Sequence, residues 1–442
     1  MSDLETALRH TLSDAERTAP APHDLAERLI ATTLTPRRGA PHVVTLHGRR
    51  AARRWLPPLL AAAVIIAIVT AGVIARSAVS SEKHRPIHLP VPQVPFPKTF
   101  SVSDVYFRGA QTGWALGDGC DDPARACVAL LHTHDGGATW QAMPAPPVEI
   151  PTGGCRQSGD NVAGAGAAAC VDQVVFADDL HGYAWGYHAF FWTNDGGRTW
   201  QRDSSRPQSV VIAGSNVLRT VASGLATGPT ILQVQAIGAT GWATVTPGGG
   251  GAAETSQILA SGKVAYYLAS HYPTGGVLFR SQDSGETWTQ VNDAPCGTTL
   301  QTTYVRLAPD GSLAALCYGG ANATIRISTD GGHAFGPGII APGTHKTDQA
   351  QLIPDILPVS PKVLLEYVGV TGGGHAYRRT TDGGLTWRVV GHDSALESIF
   401  LWQMFDAKNG YRLNESAAVG SRSGLLFTHD GGATWTPRPF SS

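Results

Sequence analysis

The chain has 442 residues, with 33 Lys plus Arg against 34 Asp plus Glu and a net charge of −1. Beyond residue 76 there are 23 basic against 28 acidic residues, which leaves no basic footprint for nucleic acid. With 52 Gly, 11 Trp and only 3 Met, the composition suits many short strands joined by tight turns.

Residues 1–54 read as a cytoplasmic tail. Ser2 with Glu5 forms a capping box, and Leu4, Leu8 and Leu12 line one face of a helix that runs to about Arg17. A second helix starts near Asp24 and uses Leu25, Leu29 and Ile30, while 34–52 reads as disordered. A short helical tail before an Arg-rich stop resembles the N-termini of many high-GC Gram-positive membrane proteins. Some of those bind sigma factors, but the zinc-type anti-sigma signature is missing because this tail has no Cys.

Residues 55–76 read as a transmembrane helix. Trp55 to Ala75 is uncharged, its core LLAAAVIIAIVTAGVIA is long enough to cross a bilayer, and it would make the lipid bilayer a partner of the chain. A cleaved signal peptide is the alternative, disfavoured by the 54 residues that precede the span and by the lack of a small-x-small site after it. Arg49, Arg50, Arg53 and Arg54 before the span outweigh Arg76, Lys83 and Arg85 after it, which places the N-terminus in the cytoplasm and the remainder outside the cell membrane. Residues 77–98 follow as an extracytoplasmic stalk, since the Pro-rich run from Lys83 to Lys98 favours an extended, semi-rigid spacer.

In residues 99–442 one octapeptide recurs six times: Thr133 to Trp140, Thr193 to Trp200, Ser281 to Trp288, Ser328 to Phe335, Thr380 to Trp387 and Thr428 to Trp435. Its Asp can bond backbone N–H groups across a tight turn for which Gly supplies a positive φ, and its closing aromatic offers a large apolar face to a neighbouring sheet. Asp135, Asp195, Asp283, Asp330, Asp382 and Asp430 are therefore expected to hold turns, and Trp140, Trp200, Trp288, Phe335, Trp387 and Trp435 to pack sheets. One carboxylate per turn is too few for a calcium cage.

The aspartates are separated by 60, 88, 47, 52 and 48 residues, so the step of 88 reads as two units, one of which has lost its box between Trp242 and Ser281. A second recurring piece, Gly113-Trp114-Ala115, Gly182-Tyr183-Ala184, Gly241-Trp242-Ala243 and Gly410-Tyr411, lies upstream of the boxes. Its third copy falls in the long gap, and weaker equivalents occur at 264–269, 312–317 and 363–368. The count gives an all-β, seven-bladed β-propeller, with six or eight blades as alternatives. The box-less unit, with its Gly248 to Gly251 loop, is the first place to expect a binding surface.

All six cysteines follow the span, which points to disulfides in an oxidising compartment. Fifteen pairings are open; proximity favours Cys120 with Cys127, Cys155 with Cys170, and Cys296 with Cys317. With no C-x-x-C and no clustered Cys/His spacing, no zinc site is read.

The octapeptide resembles the Asp-box of the BNR repeat, found in sialidases, sortilin-type receptors, xyloglucanases and photosystem II assembly-factor propellers. The repeat consensus, a hydrophobic strand, then Gly-Trp/Tyr-Ala, then Asp-Gly-Gly-x-Thr-Trp, is most similar to the noncatalytic assembly-factor type. That resemblance implies a binding platform for a protein or glycan, although the anchor and stalk depart from that family. The sialidase Arg signature has no match, its nearest piece being Tyr106-Phe107-Arg108-Gly109, and xyloglucanases join two propellers where this chain has one. Asp104, Asp178, Asp179, His181, Glu366 and Glu397 remain as candidates for the alternative, a glycoside hydrolase. No Gly-x-Ser-x-Gly elbow, Walker loop or His-Glu-x-x-His motif occurs, and no cofactor is implied.

Overall fold

A computed structural model describes residues 94–442 apart from 120–126, 149–169, 187, 223–229, 250–254, 272–274, 298–300, 320–321, 342–354, 370–373, 394–396 and 417–423. The expected tail helices, the span 55–76 and most of the stalk lie outside the described residues. Seven four-stranded antiparallel sheets follow one another at 101–143, 173–203, 207–245, 255–292, 301–340, 355–393 and 397–438. Each is a simple meander, and the first strands of successive sheets touch. The sheets are the blades of a seven-bladed propeller, numbered 1 to 7 in chain order.

Position within a blade sets the sequence pattern. Second strands are covered on both faces by the adjoining blades, so Thr112–Asp118, Asn216–Ala222 and Leu364–Gly369 are buried through five successive residues and read as continuous runs instead of alternating. Fourth strands sit at the rim; Gln141–Met143, Gln201–Asp203 and Thr436–Arg438 are short and contain no buried residue, which blunts the free sheet edge.

Seven buried clusters fill the seams, each drawn mainly from two adjacent blades. The aromatic that ends each octapeptide enters the seam with the preceding blade: Trp140 between blades 7 and 1, Trp200 between 1 and 2, Trp288 between 3 and 4, Phe335 between 4 and 5, Trp387 between 5 and 6, and Trp435 between 6 and 7. Trp242 enters the seam between blades 2 and 3.

That placement corrects the sequence reading. Gly241-Trp242-Ala243 is not a second-strand piece, because the second strand of blade 3 is Asn216–Ala222 and Trp242 directly precedes its fourth strand, Ala243–Val245. The degenerate box is therefore Gln235 to Trp242, ahead of where the sequence placed the loss. Gln235 stands where the other boxes have Ser or Thr, and its side-chain amide donates to the Ala239 carbonyl at 2.8 Å. The Gly248 turn, where a binding surface is expected first, is exposed and leans on blade 4, where a Cβ on Gly248 would lie 2.7 Å from the Phe279 ring.

Blade 7 is built wholly from 397–438, so no strand is exchanged to close the ring. Aromatic packing closes it instead. Phe107 has ring neighbours in Tyr411 at 5.1 Å, Phe427 at 5.4 Å and Phe405 at 5.7 Å, and Phe440 lies 5.0 Å from Phe100 and 5.1 Å from Trp140. The Tyr411 hydroxyl donates to the Val105 carbonyl at 2.7 Å, and the Trp140 amide donates to the Ser441 carbonyl at 2.9 Å.

Cys296 and Cys317 form the expected disulfide, tying the segment before blade 5 to its second strand. Cys127 and Cys170 are also disulfide-bonded, whereas Cys120 and Cys155 lie outside the described residues.

Trp140 is 1% exposed, so Trp140→Ala should cost about 3–5 kcal/mol in urea unfolding. The half-buried Trp242 stacks on a single guanidinium, and Trp242→Ala should cost about 1–2 kcal/mol. An unchanged midpoint for the second variant would show that it is not the seventh wedge.

Candidate functional site

The octapeptide builds one hydrogen-bonded turn repeatedly. In the first copy the Thr133 hydroxyl donates to Asp135 Oδ1 at 2.8 Å and accepts the Gly137 amide at 2.9 Å. Asp135 Oδ1 also accepts the Thr139 amide, and Oδ2 the Thr139 hydroxyl at 2.7 Å. The same set recurs around Asp195, Asp283, Asp382 and Asp430. Gly136 and Gly137 sit at φ 69° and 80°, which a side chain would strain. Bonds from the backbone and hydroxyl of Thr139 pull Asp135 down to about 2, and those of Thr287 and Thr386 do the same for Asp283 and Asp382.

Blade 5 departs from this set. Ala334 replaces the Thr, so Asp330 Oδ2 shares the Ala334 amide at 3.1 Å in place of receiving a hydroxyl.

The other candidate acids are engaged by the fold. Asp104 accepts the amides of Val105 and Val174, the latter across the seam to blade 2 at 2.8 Å. Asp178 holds its own turn by accepting the Leu180 and His181 amides and lies 2.9 Å from His181 Nδ1. Asp179 pairs with Arg108 at 2.8 Å, bridging the hairpins of blades 1 and 2. Glu366 is fully buried and paired with Arg378 at 3.1 Å. Glu397 opens the first strand of blade 7, and its side chain lies outside the described residues.

A polar group not expected from the sequence comes together on the first strands of blades 5, 6 and 7. Asp355 Oδ1 accepts the Tyr304 hydroxyl at 2.9 Å and Arg306 at 3.1 Å, and Oδ2 accepts the Trp402 indole N–H at 2.8 Å. The Tyr304 hydroxyl accepts the Ile356 amide, and burial pushes its phenol above the usual range. Arg306 and Asp355 remain about one-third exposed, at 34% and 32%, so this group presents both charges to solvent. No local motif announces it, because the residues are about fifty apart and meet only when three blades are in register.

A cavity of about 550 Å³ opens at the octapeptide end of blades 4 and 5, with Tyr266, Arg280, Asp310 and Asp330 in its wall. Arg280 immediately precedes the box of blade 4 and reaches the box of blade 5, where a Cβ on Gly331 would lie 2.9 Å from its Nη1. The corresponding Arg379 of blade 6 donates from Nε to the Gly431 carbonyl at 2.9 Å, whereas Arg280 Nε is buried without a partner.

Two buried arginines recur at one position in the repeat. Arg219 lies 3.8 Å from the Trp242 ring and 3.4 Å from Asp203 of blade 2; Arg412 lies 3.9 Å from the Tyr377 ring and 3.5 Å from Asp393 of blade 6. Burial pushes Arg412 down to about 10. Each arginine glues a seam by stacking on rings as well as by charge. Among the described residues no cluster of three or more His, Cys, Asp or Glu could hold a metal.

No family model matches the chain, and no curated protein matches it. Solved propeller structures do. YCF48 bound to a D1 peptide is 17% identical over 76% of this chain and 95% of its own, with a TM-score of 0.47. One of two prolyl endopeptidases studied together is 10% identical over 77% of this chain and 49% of its own, with a TM-score of 0.50. The GH74 xyloglucanase from Xanthomonas campestris is 15% identical over 78% and 54%, with a TM-score of 0.44. At such identities the similarity extends to the fold alone.

Carboxylates held near pH 2 stabilise the fold fully above their ordinary value of about 4 and lose that contribution as the pH falls toward 2. The melting temperature should fall over that window, and less steeply in Asp382→Asn than in the parent. Parallel curves would show that the Asp382 turn adds nothing to stability.

Proposed function

We propose that the chain is a membrane-tethered, extracytoplasmic propeller that acts as a noncatalytic binding module for a protein or a cell-surface glycan. One observation carries the reading: Asp104, Asp178, Asp179 and Glu366, the acids the sequence offers as catalysts and the structure describes, are committed to amides, an imidazole or arginines within a turn, within a blade or across a seam. A glycosidase needs two carboxylates facing each other across a substrate. Asp355, the acid exposed near the axis, is already gripped by Tyr304, Arg306 and Trp402. The octapeptides act as BNR-type clasps in this reading. The uncharged run 55–75 between arginines and the Cys296–Cys317 disulfide support tethering outside the cytoplasm.

Incubating the full chain with fluorogenic glycosides, and in parallel with glycan and protein arrays, tests this. Retention of an array ligand without glycoside turnover is expected, whereas turnover that disappears in Asp355→Asn would replace the binding module with a hydrolase. On intact cells, external protease should remove residues 94–442; protection of the propeller would contradict the orientation.

A further inference from the structure

The seam between blades 4 and 5 differs from the others at Asp330 and from that of blades 6 and 7 at Arg280, and both residues line the same cavity. In five boxes a Thr hydroxyl occupies the Oδ2 atom of the Asp at 2.5 to 2.7 Å. Ala334 removes it from Asp330, whose carboxylate lines the cavity. On the opposite blade Arg280 lacks the backbone acceptor that Arg379 has at its own seam. Asp330, which keeps only the Ala334 amide on Oδ2, and Arg280, whose buried Nε has no partner, thus both line about 550 Å³, a volume suited to a small ligand.

The lining selects a chemistry. Two carboxylates, Asp310 and Asp330, stand against one guanidinium, so the field disfavours an anion. Ser261 and Thr329 add exposed hydroxyls, each able to donate and accept. Asp310 Oδ1 is held by the Ser312 amide and hydroxyl, which fixes its carboxylate in place. A ligand carrying many neutral groups that both donate and accept satisfies this wall; one that brings its own negative charge does not.

We propose that this cavity binds a neutral, hydroxyl-rich saccharide unit, with Asp330 accepting from its hydroxyls and Arg280 donating to its oxygens. The proposal rests on the binding-module reading and narrows its ligand to an uncharged glycan. It also separates the chain from sialic acid recognition, in which arginines converge on the substrate carboxylate.

The test is isothermal titration of the full chain with maltotetraose, cellotetraose and chitotetraose, with sialyllactose as the anionic probe. At least one neutral tetrasaccharide should bind. Ala334→Thr, which returns the missing hydroxyl to Asp330 Oδ2, should weaken it about tenfold, the worth of one hydrogen bond to a charged group, while the melting temperature stays level or rises. Thr329→Trp, which fills the cavity mouth from an exposed position, should weaken it as well. A merely structural role for Asp330 would let Ala334→Thr raise the melting temperature with affinity unchanged, and that result overturns the proposal. So does failure of all three neutral sugars to bind, or a preference for sialyllactose. Binding that survives both variants and falls in Arg306→Met would sink this cavity and leave the binding module standing; glycoside turnover would sink the broader reading instead.

Discussion

The ring has to be closed between its last blade and its first, where no peptide links them. Every other seam is crossed by the chain passing from a fourth strand to the next first strand, but the seam of blades 7 and 1 joins the two ends of the propeller. Propellers can meet this demand by exchanging a strand; here all seven sheets are contiguous in sequence. The load falls on side chains, and Phe100, Phe107, Trp140, Tyr411, Phe427 and Phe440 concentrate there. Such rings contribute through burial and through edge-to-face geometry, seen in the perpendicular Phe107 and Phe427.

The same logic, on a smaller scale, runs through the other six seams. Each octapeptide places one aromatic at the end of a turn whose geometry is fixed by a single carboxylate, so the wedge enters its seam already oriented. This explains why Asp135, Asp195, Asp283, Asp382 and Asp430 reach solvent yet are unavailable: their lone pairs are filled by the local backbone and hydroxyls. Where the wedge is less buried, as with Trp242, an arginine stacked upon it and paired across the seam supplies the missing contact. Arg412 repeats the device between blades 6 and 7. Function has most room where this regularity lapses, and blade 5, with Ala334 in its box, is such a place.

The box turns were legible because each depends on residues within eight positions of one another, and the blade count because the boxes recur at steps of 47 to 60 residues with one double step of 88. The misplacement of Trp242 has a specific cause. Gly113, Gly182 and Gly410 are glycine in the first two residues of second strands because an added Cβ would strike Phe107, Phe176 or Met404, at 2.5, 2.3 and 2.4 Å. Gly241 has open space around it but φ at 95°, so it is glycine for its backbone and not for its neighbours. Two different constraints produce the same Gly-Trp-Ala string. The groups around Asp355 and Arg280 were not legible, since each joins residues from different blades whose proximity exists only in the ring. Glycine at Gly248 leaves the turn exposed on one side while its missing Cβ makes way for Phe279 on the other.

Closure by aromatic packing makes a claim about cooperativity: blade 7 must be as hard to open as blades held by chain connection. Native-state hydrogen exchange of the full chain, followed by mass spectrometry, reads this directly. Amides of Gly410–Ser416 and Gly424–Thr428 should exchange as slowly as those of Val264–His271 in blade 4, and Phe107→Ala should accelerate blade 7 ahead of the rest. Early exchange of blade 7 in the unmodified protein, with the other blades still protected, would contradict the account.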